Sequence, residues 1–158
     1  RRLELVSGWT GDGRPDFASV NLSEPGAEEL AARLAGLGIA VEAGVWTPGD
    51  ADLLAASGFG RGVIRVLIEP RDSSPDAAVA TAAQADEALD RHGLRVPRVH
   101  HGYGIATWHV IRAALRLGRD IRVGLEDTVV LPDGSTATGN GELVAAAVRL
   151  AAEAGHRL

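Results

Sequence analysis

Arg122-Val123-Gly124-Leu125-Glu126-Asp127 places one guanidinium and two carboxylates within six residues. An Arg offers bidentate recognition of a carboxylate. An acid of tuned pKa moves protons, and a carboxylate can ligate a metal. Four other short runs also carry polar groups. Ser19 and Asn21 lie in Ala18–Leu22, Glu42 lies in Ala40–Val45, Arg65 and Glu69 lie in Val63–Glu69, and His100-His101 closes Arg98–His101. Each residue alone has a plainer reading. Glu42 and Glu69 suit solvated strand ends, Arg122 with Glu126 suits a structural ion pair, and Trp46 and Trp108 suit packing. The weight lies in five runs delivering polar groups, mostly near their C-terminal ends.

The elements that must position these groups follow from spacing. The runs are short and rich in Val and Ile, which predicts strands at Ala18–Leu22, Ala40–Val45, Val63–Glu69, Arg98–His101 and Ile121–Glu126. Helical patterns separate them. Gly26–Leu37 carries Leu30, Leu34 and Leu37 before Gly38. Thr47-Pro48-Gly49-Asp50 reads as a capping box, and Ser74-Pro75-Asp76 opens a helix through Arg91. Ile105–Leu117 stops at Gly118, and Asn140 is predicted to cap a last helix to about Ala154. Leu131-Pro132-Asp133-Gly134-Ser135 has turn chemistry.

Strands alternating with helices imply parallel pairing through right-handed crossovers. Side chains alternate faces along a strand. Arg122, Gly124 and Glu126 then share one face, as do Ser19 and Asn21, or Arg65 and Glu69, while the apolar residues take the other. A polar inner face and an apolar outer face describe a (β/α)₈ barrel with its active site at the C-terminal mouth. The runner-up is an open, doubly wound sheet, whose strands would be apolar on both faces. The absence of a Pro/Ser-rich linker predicts one domain over residues 1–158.

Composition narrows the chemistry. The 158 residues carry a net charge of -5, which argues against nucleic acid or an anionic membrane as partner. No apolar run approaches the roughly 20 residues of a membrane helix. No secretory pattern follows Arg1-Arg2-Leu3-Glu4-Leu5, so a cytoplasmic location is expected. Cysteine is absent, which excludes disulfides and leaves His and carboxylates as metal ligands. Gly58-Phe59-Gly60-Arg61-Gly62 lacks the Lys-Ser/Thr of a phosphate loop, and no Gly-x-Ser-x-Gly elbow occurs.

Several segments, in order, resemble the beta-keto acid cleavage enzymes, the family that includes 3-keto-5-aminohexanoate cleavage enzyme. They are Ala18-Ser19-Val20-Asn21-Leu22-Ser23-Glu24, Gly38 to Gly44, His101-Gly102-Tyr103-Gly104 with Ala106-Thr107-Trp108, Arg122 to Asp127, Leu131-Pro132-Asp133-Gly134, and Asn140 with Glu142-Leu143-Val144. The Arg-x-Gly-x-Glu-Asp run is the most specific of them. The resemblance implies a zinc-dependent (β/α)₈ barrel that turns a beta-keto acid and acetyl-CoA into acetoacetate and a new CoA thioester. It implies Glu126 as the zinc-binding carboxylate, Arg122 and Asp127 as the catalytic pair, and Glu42 as an active-site acid. Ser19, Asn21 and His101 would line the substrate pocket, and a homo-oligomer would be usual.

Such chemistry is physically coherent. Splitting the bond from the keto carbon to the carbon that bears the carboxylate leaves an enolate, and a metal would supply an electrophile to stabilise it. The family supplies two further zinc ligands as His-x-His on an early strand. This chain has only the adjacent His100-His101, so the remaining Zn²⁺ ligands are expected outside it. Five βα units where eight are required, with no Met at position 1, predict three preceding units. Two alternatives stay open: another metal-dependent barrel lyase or aldolase acting on keto acids, or an inactive fragment that needs the missing half.

Overall fold

A computed structural model describes residues 2–60 and 62–156. Five strands form one sheet: β1 (Phe17–Asn21), β2 (Ala40–Val45), β3 (Arg65–Ile68), β4 (Arg98–His100) and β5 (Asp120–Ile121). Helices α2 (Ala27–Gly36), α3 (Pro48–Ala56), α4 (Pro75–Arg91) and α5 (Thr107–Arg116) join successive strands; α1 (Arg2–Ser7) precedes β1 and α6 (Asn140–Glu153) follows β5. All neighbours pair in parallel, and the spatial order is β1-β2-β3-β4-β5.

That order is not the one a doubly wound sheet would show. A doubly wound sheet reverses strand order at a switch point, and no reversal occurs here. Sequential order with right-handed crossovers puts every crossover helix on one face. The fold is α/β and consistent with part of a (β/α)₈ barrel.

The two faces of the sheet differ in chemistry as strand parity predicts. Toward the helices, Val20, Val41, Ala43, Val45, Val66 and Ile68 pack with Ala31, Leu34, Leu54, Ala78, Ala82 and Leu89 in one buried cluster. Small side chains on α4 let it lie close to the strands: Ala78, Ala82, Ala85 and Ala88 are all buried. The other face carries Ser19, Asn21, Glu42, Arg65, Leu67, Val99 and Arg122. Register sorts these into levels, with Ser19, Glu42 and Arg65 on one and Asn21, Gly44, Leu67, Val99 and Asp120 on the next.

Local signals set most boundaries as expected. Thr47 forms a reciprocal capping box with Asp50, and Ser74 Oγ accepts from Ala77 N–H at 3.3 Å. Two expectations need correction. The last strand ends at Ile121 rather than running to Glu126. Its ladder closes when Arg122 N–H reaches the His100 carbonyl at 3.0 Å, and the chain then turns, with Asp127 N–H and Thr128 N–H both donating to the Gly124 carbonyl. Asn140 is the first residue of α6 and makes no cap on it, since Gly139 holds that position. Its Oδ1 accepts from Leu125 N–H at 2.8 Å instead, which ties α6 to the Arg122–Asp127 segment. Helix α1 was not anticipated; six residues are too few to show a period.

One strand brings charge to the helix side. Arg98 is buried on β4 and its Nη1 donates to Asp86 Oδ1 of α4 at 2.7 Å, while Nη2 donates to Asp90 Oδ1 at 2.6 Å and to the Leu94 carbonyl at 3.1 Å. Arg119 Nε donates to Asp86 Oδ2 at 3.2 Å, and His100 Nε2 lies 3.2 Å from the same oxygen. Burial pushes the Asp86 pKa up, but His100, Arg98 and Arg119 outweigh it and hold the carboxyl at about 2. The cluster locks α4 to the sheet.

Removing one member of a buried ion pair leaves the others uncompensated, at about 3–5 kcal/mol. Asp86→Ala is therefore expected to lower the thermal midpoint by about 10 °C. A fall under about 2 °C would show that the cluster does not hold α4. A carboxyl whose folded pKa is depressed stabilises above its unfolded value of about 4, and that stability is lost as pH falls toward 2. Between pH 4 and pH 2 the wild-type chain should lose stability more steeply than Asp86→Asn, as read by circular-dichroism melts.

Candidate active site

The ends of β3, β4 and β5 converge on one line of charged groups. His101 follows β4, is 1% exposed, and its backbone N–H donates to the Ile68 carbonyl at 3.0 Å. Parity turns it toward the polar face, so its neighbour His100 turns to the helices and Asp86. His101 Nδ1 lies 3.0 Å from Asp127 Oδ1, and Nε2 lies 3.6 Å from Glu69 Oε2. Both approaches are at charge-contact separation but are too oblique or too long for good hydrogen bonds. Burial opposes charge on this imidazole, yet the flanking carboxylates Asp127 and Glu69 outweigh it and raise the His101 pKa.

Glu69 is the opposite case. Its burial favours the neutral acid, but His101 and Arg71 outweigh that and bring the pKa down to about 2. Trp46 Nε1 donates to Glu69 Oε2 at 3.2 Å, and Arg71 Nη2 donates to Oε1 at 2.9 Å. The Arg71 guanidinium also lies over the Trp46 ring at 4.5 Å and the Tyr103 ring at 5.6 Å.

Across the line, Asp127 is 4% exposed and Arg122 Nη2 stands 3.7 Å from its Oδ1. The buried Oδ2 has no hydrogen-bond partner. A turn places this carboxylate. Gly104 N–H donates to the Asp127 carbonyl at 2.8 Å, and Asn140 holds Leu125. The same turn sends Glu126 outward, its side chain 80% exposed and paired with Arg122.

The expected site residues therefore divide into two groups. Arg122, Asp127, Glu126 and His101 come together at the C-terminal ends of the strands. Glu42 faces the polar side and is 2% exposed, but it bonds Arg65 and accepts from Ser19 Oγ at 2.5 Å. By register it sits two levels below His101, since Arg65 beside it is four residues before Glu69. Four residues of strand span roughly 13 Å. Asn21 lies one level above Ser19 and its Nδ2 donates to Glu24 Oε1 at 3.1 Å. A Cβ at Gly44 beside it would meet the Asn21 amide oxygen, which would have to move aside. Gly102 is required by backbone: a Cβ would lie 2.8 Å from both the Ala106 carbonyl oxygen and Thr107 Cα.

Glu69, Trp46 and Arg71 were not anticipated as members of the site. Glu69 had a usable signal, its inward parity at the end of β3. Arg71 had none, because it lies past Pro70 in a loop whose path only the packing decides.

Arranged this way, Arg122 can bind an anionic substrate, and Asp127 Oδ2 can accept a proton. A metal is a different matter. Among the described residues, no three His, Cys, Asp or Glu side chains gather closely enough to hold one. Glu126 offers a single carboxylate from the rim. The apolar groove lined by Ala31, Ala35, Val41, Phe59 and Val63 lies at the opposite end of the strands from these charges. Among the described residues, no helix is long and apolar enough to cross a membrane.

No curated protein matches the chain. A family model described as beta-keto acid cleavage enzyme matches residues 13–158, which span every strand and all the groups above. The chain belongs to the beta-keto acid cleavage enzyme family.

Proposed function

We propose that the protein transfers an acyl group between a beta-keto acid and acetyl-CoA, releasing acetoacetate and a new CoA thioester. The observation that carries this reading is Asp127, a buried carboxylate with Oδ2 unpartnered beside the half-exposed guanidinium of Arg122. A carbon between a keto group and a carboxylate has acidified C–H bonds, and its deprotonation needs a base at close range. An unpartnered carboxylate oxygen in a dry site supplies one. Arg122 would bind the substrate carboxylate and keep that carbon beside Oδ2. Burial of the surrounding charges strengthens both interactions.

In this reading the sheet is a sector of a closed (β/α)₈ barrel, and Glu126 would be the one described residue to help hold Zn²⁺. A metal on the keto oxygen would stabilise the enolate electrostatically. The residues described do not complete a ligand set, so every ligand besides Glu126 would come from other polypeptide. Metal analysis of the purified protein tests this directly. Zinc bound stoichiometrically and lost in Glu126→Gln is expected; zinc that is absent, or indifferent to that change, removes the metal from the proposal.

The activity test is a panel of short beta-keto acids with acetyl-CoA. Acetoacetate and a new thioester should appear in equal amounts. Asp127→Asn and Arg122→Met should each lower kcat/KM by about 10²–10⁴-fold, while the remote Glu153→Gln leaves it unchanged. Turnover that survives Asp127→Asn would remove Asp127 from the chemistry. Cleavage without CoA would make the protein an aldolase-type lyase.

A further inference from the structure

Glu69 and His101 stand behind Asp127 with no role yet in the reaction. Neither ring nitrogen of His101 faces a substrate, because the two nitrogens face Asp127 and Glu69. Yet the arrangement is more than packing. Arg122, Asp127, His101, Glu69 and Arg71 alternate basic and acidic side chains across the ends of three strands. We propose that Glu69 and His101 are positioning residues that fix the Asp127 carboxylate with Oδ1 engaged and Oδ2 left for the reacting proton. The proposal rests on the reading of Asp127 as the proton-handling group.

Three observations carry it. The first is asymmetry. Both basic neighbours of Asp127 come nearest to Oδ1, His101 at 3.0 Å and Arg122 at 3.7 Å, while Oδ2 is buried without a partner. A structural ion pair would satisfy both oxygens, because a buried unpartnered acceptor is costly.

The second is where each group is rooted. Asp127 sits in a turn, whereas His101 is held by the ladder to β3 through its N–H on the Ile68 carbonyl. A loop carboxylate takes its position from the sheet-borne group it leans on. His101 in turn is held from behind by Glu69, which Trp46 and Arg71 fix at both oxygens. The third is the lining beside Oδ2. A Cβ at Gly124 would stand in ordinary contact, 4.0 Å from Oδ2 and 3.4 Å from Asn140 Oδ1, so the glycine sets no side chain against this carboxylate.

The test is a kinetic cycle on the full chain with acetyl-CoA and whichever beta-keto acid it turns over. His101→Leu roughly keeps the volume and removes both ring nitrogens; His101→Asn keeps a polar group on the Asp127 side. His101→Leu should lower kcat by about 10- to 100-fold with KM changed less than about threefold. His101→Asn should recover most of that loss, and Glu69→Gln should show a smaller loss of the same kind. In an Asp127→Asn background, His101→Leu should cost nothing further, since the group it positions is gone. Losses that multiply, or a loss carried by KM, would overturn the proposal.

A second measurement is independent of turnover. The ring signal of His101 in the NMR spectrum should move in both Asp127→Asn and Glu69→Gln. A signal indifferent to both changes would sink the arrangement. A chain that shows both shifts but makes no acetoacetate keeps the positioning and loses the assigned reaction.

Discussion

Parity along five parallel strands in register is the constraint on which the rest of this structure depends. Once Val20, Val41, Val66 and Ile68 are committed to the helices, the residues between them have no choice of side. Ser19, Glu42, Arg65, Leu67, Glu69 and His101 must face the other way. The apolar set is large and closely packed, so it fixes the polar set as well. A slip of one residue on any strand would bury its charged groups among Leu34, Leu54 and Leu89 and expose its valines. Polar groups are thus placed by the burial of residues that never touch them.

The same constraint separates two clusters of buried charge that lie one residue apart in sequence. His100 and Arg98 join Asp86 and Arg119 on the helix side, while His101 joins Glu69 and Asp127 on the other. Both clusters satisfy the rule that a buried charge needs a partner. They differ in completeness. Asp86 has cationic neighbours at each oxygen, which suits a fastening between helix and sheet. Asp127 has them at one oxygen only, which suits a group kept for a substrate.

How much was legible in the sequence depended on whether a residue belonged to a repeating pattern. The five strands, their parallel pairing and the inward Glu42, Arg65 and Glu69 could be read from alternation. The capping box at Thr47 could be read because its chemistry is local. The stretch after Ile121 could not. Alternation continues on paper through Glu126, but the ladder ends at Arg122 and Gly124 starts a turn. Glu126 consequently points outward at 80% exposure and Asp127 points in, the reverse of what strand parity implied. Asn140 shows the same limit: its type predicts a cap on its own helix, yet its amide oxygen serves Leu125, fifteen residues back.

By itself, then, the sequence determined the α/β class, the two faces of the first three strands and the family, because these rest on periods and motifs a few residues long. Only the tertiary structure decided three things: that strand order is sequential without reversal, that Glu42 sits two levels below His101, and that Glu69 and Asp127 close on one imidazole. Each of these is a distance between residues from different strands or loops. Such distances are set by how helices and sheet pack together, and no local spacing in the chain encodes them.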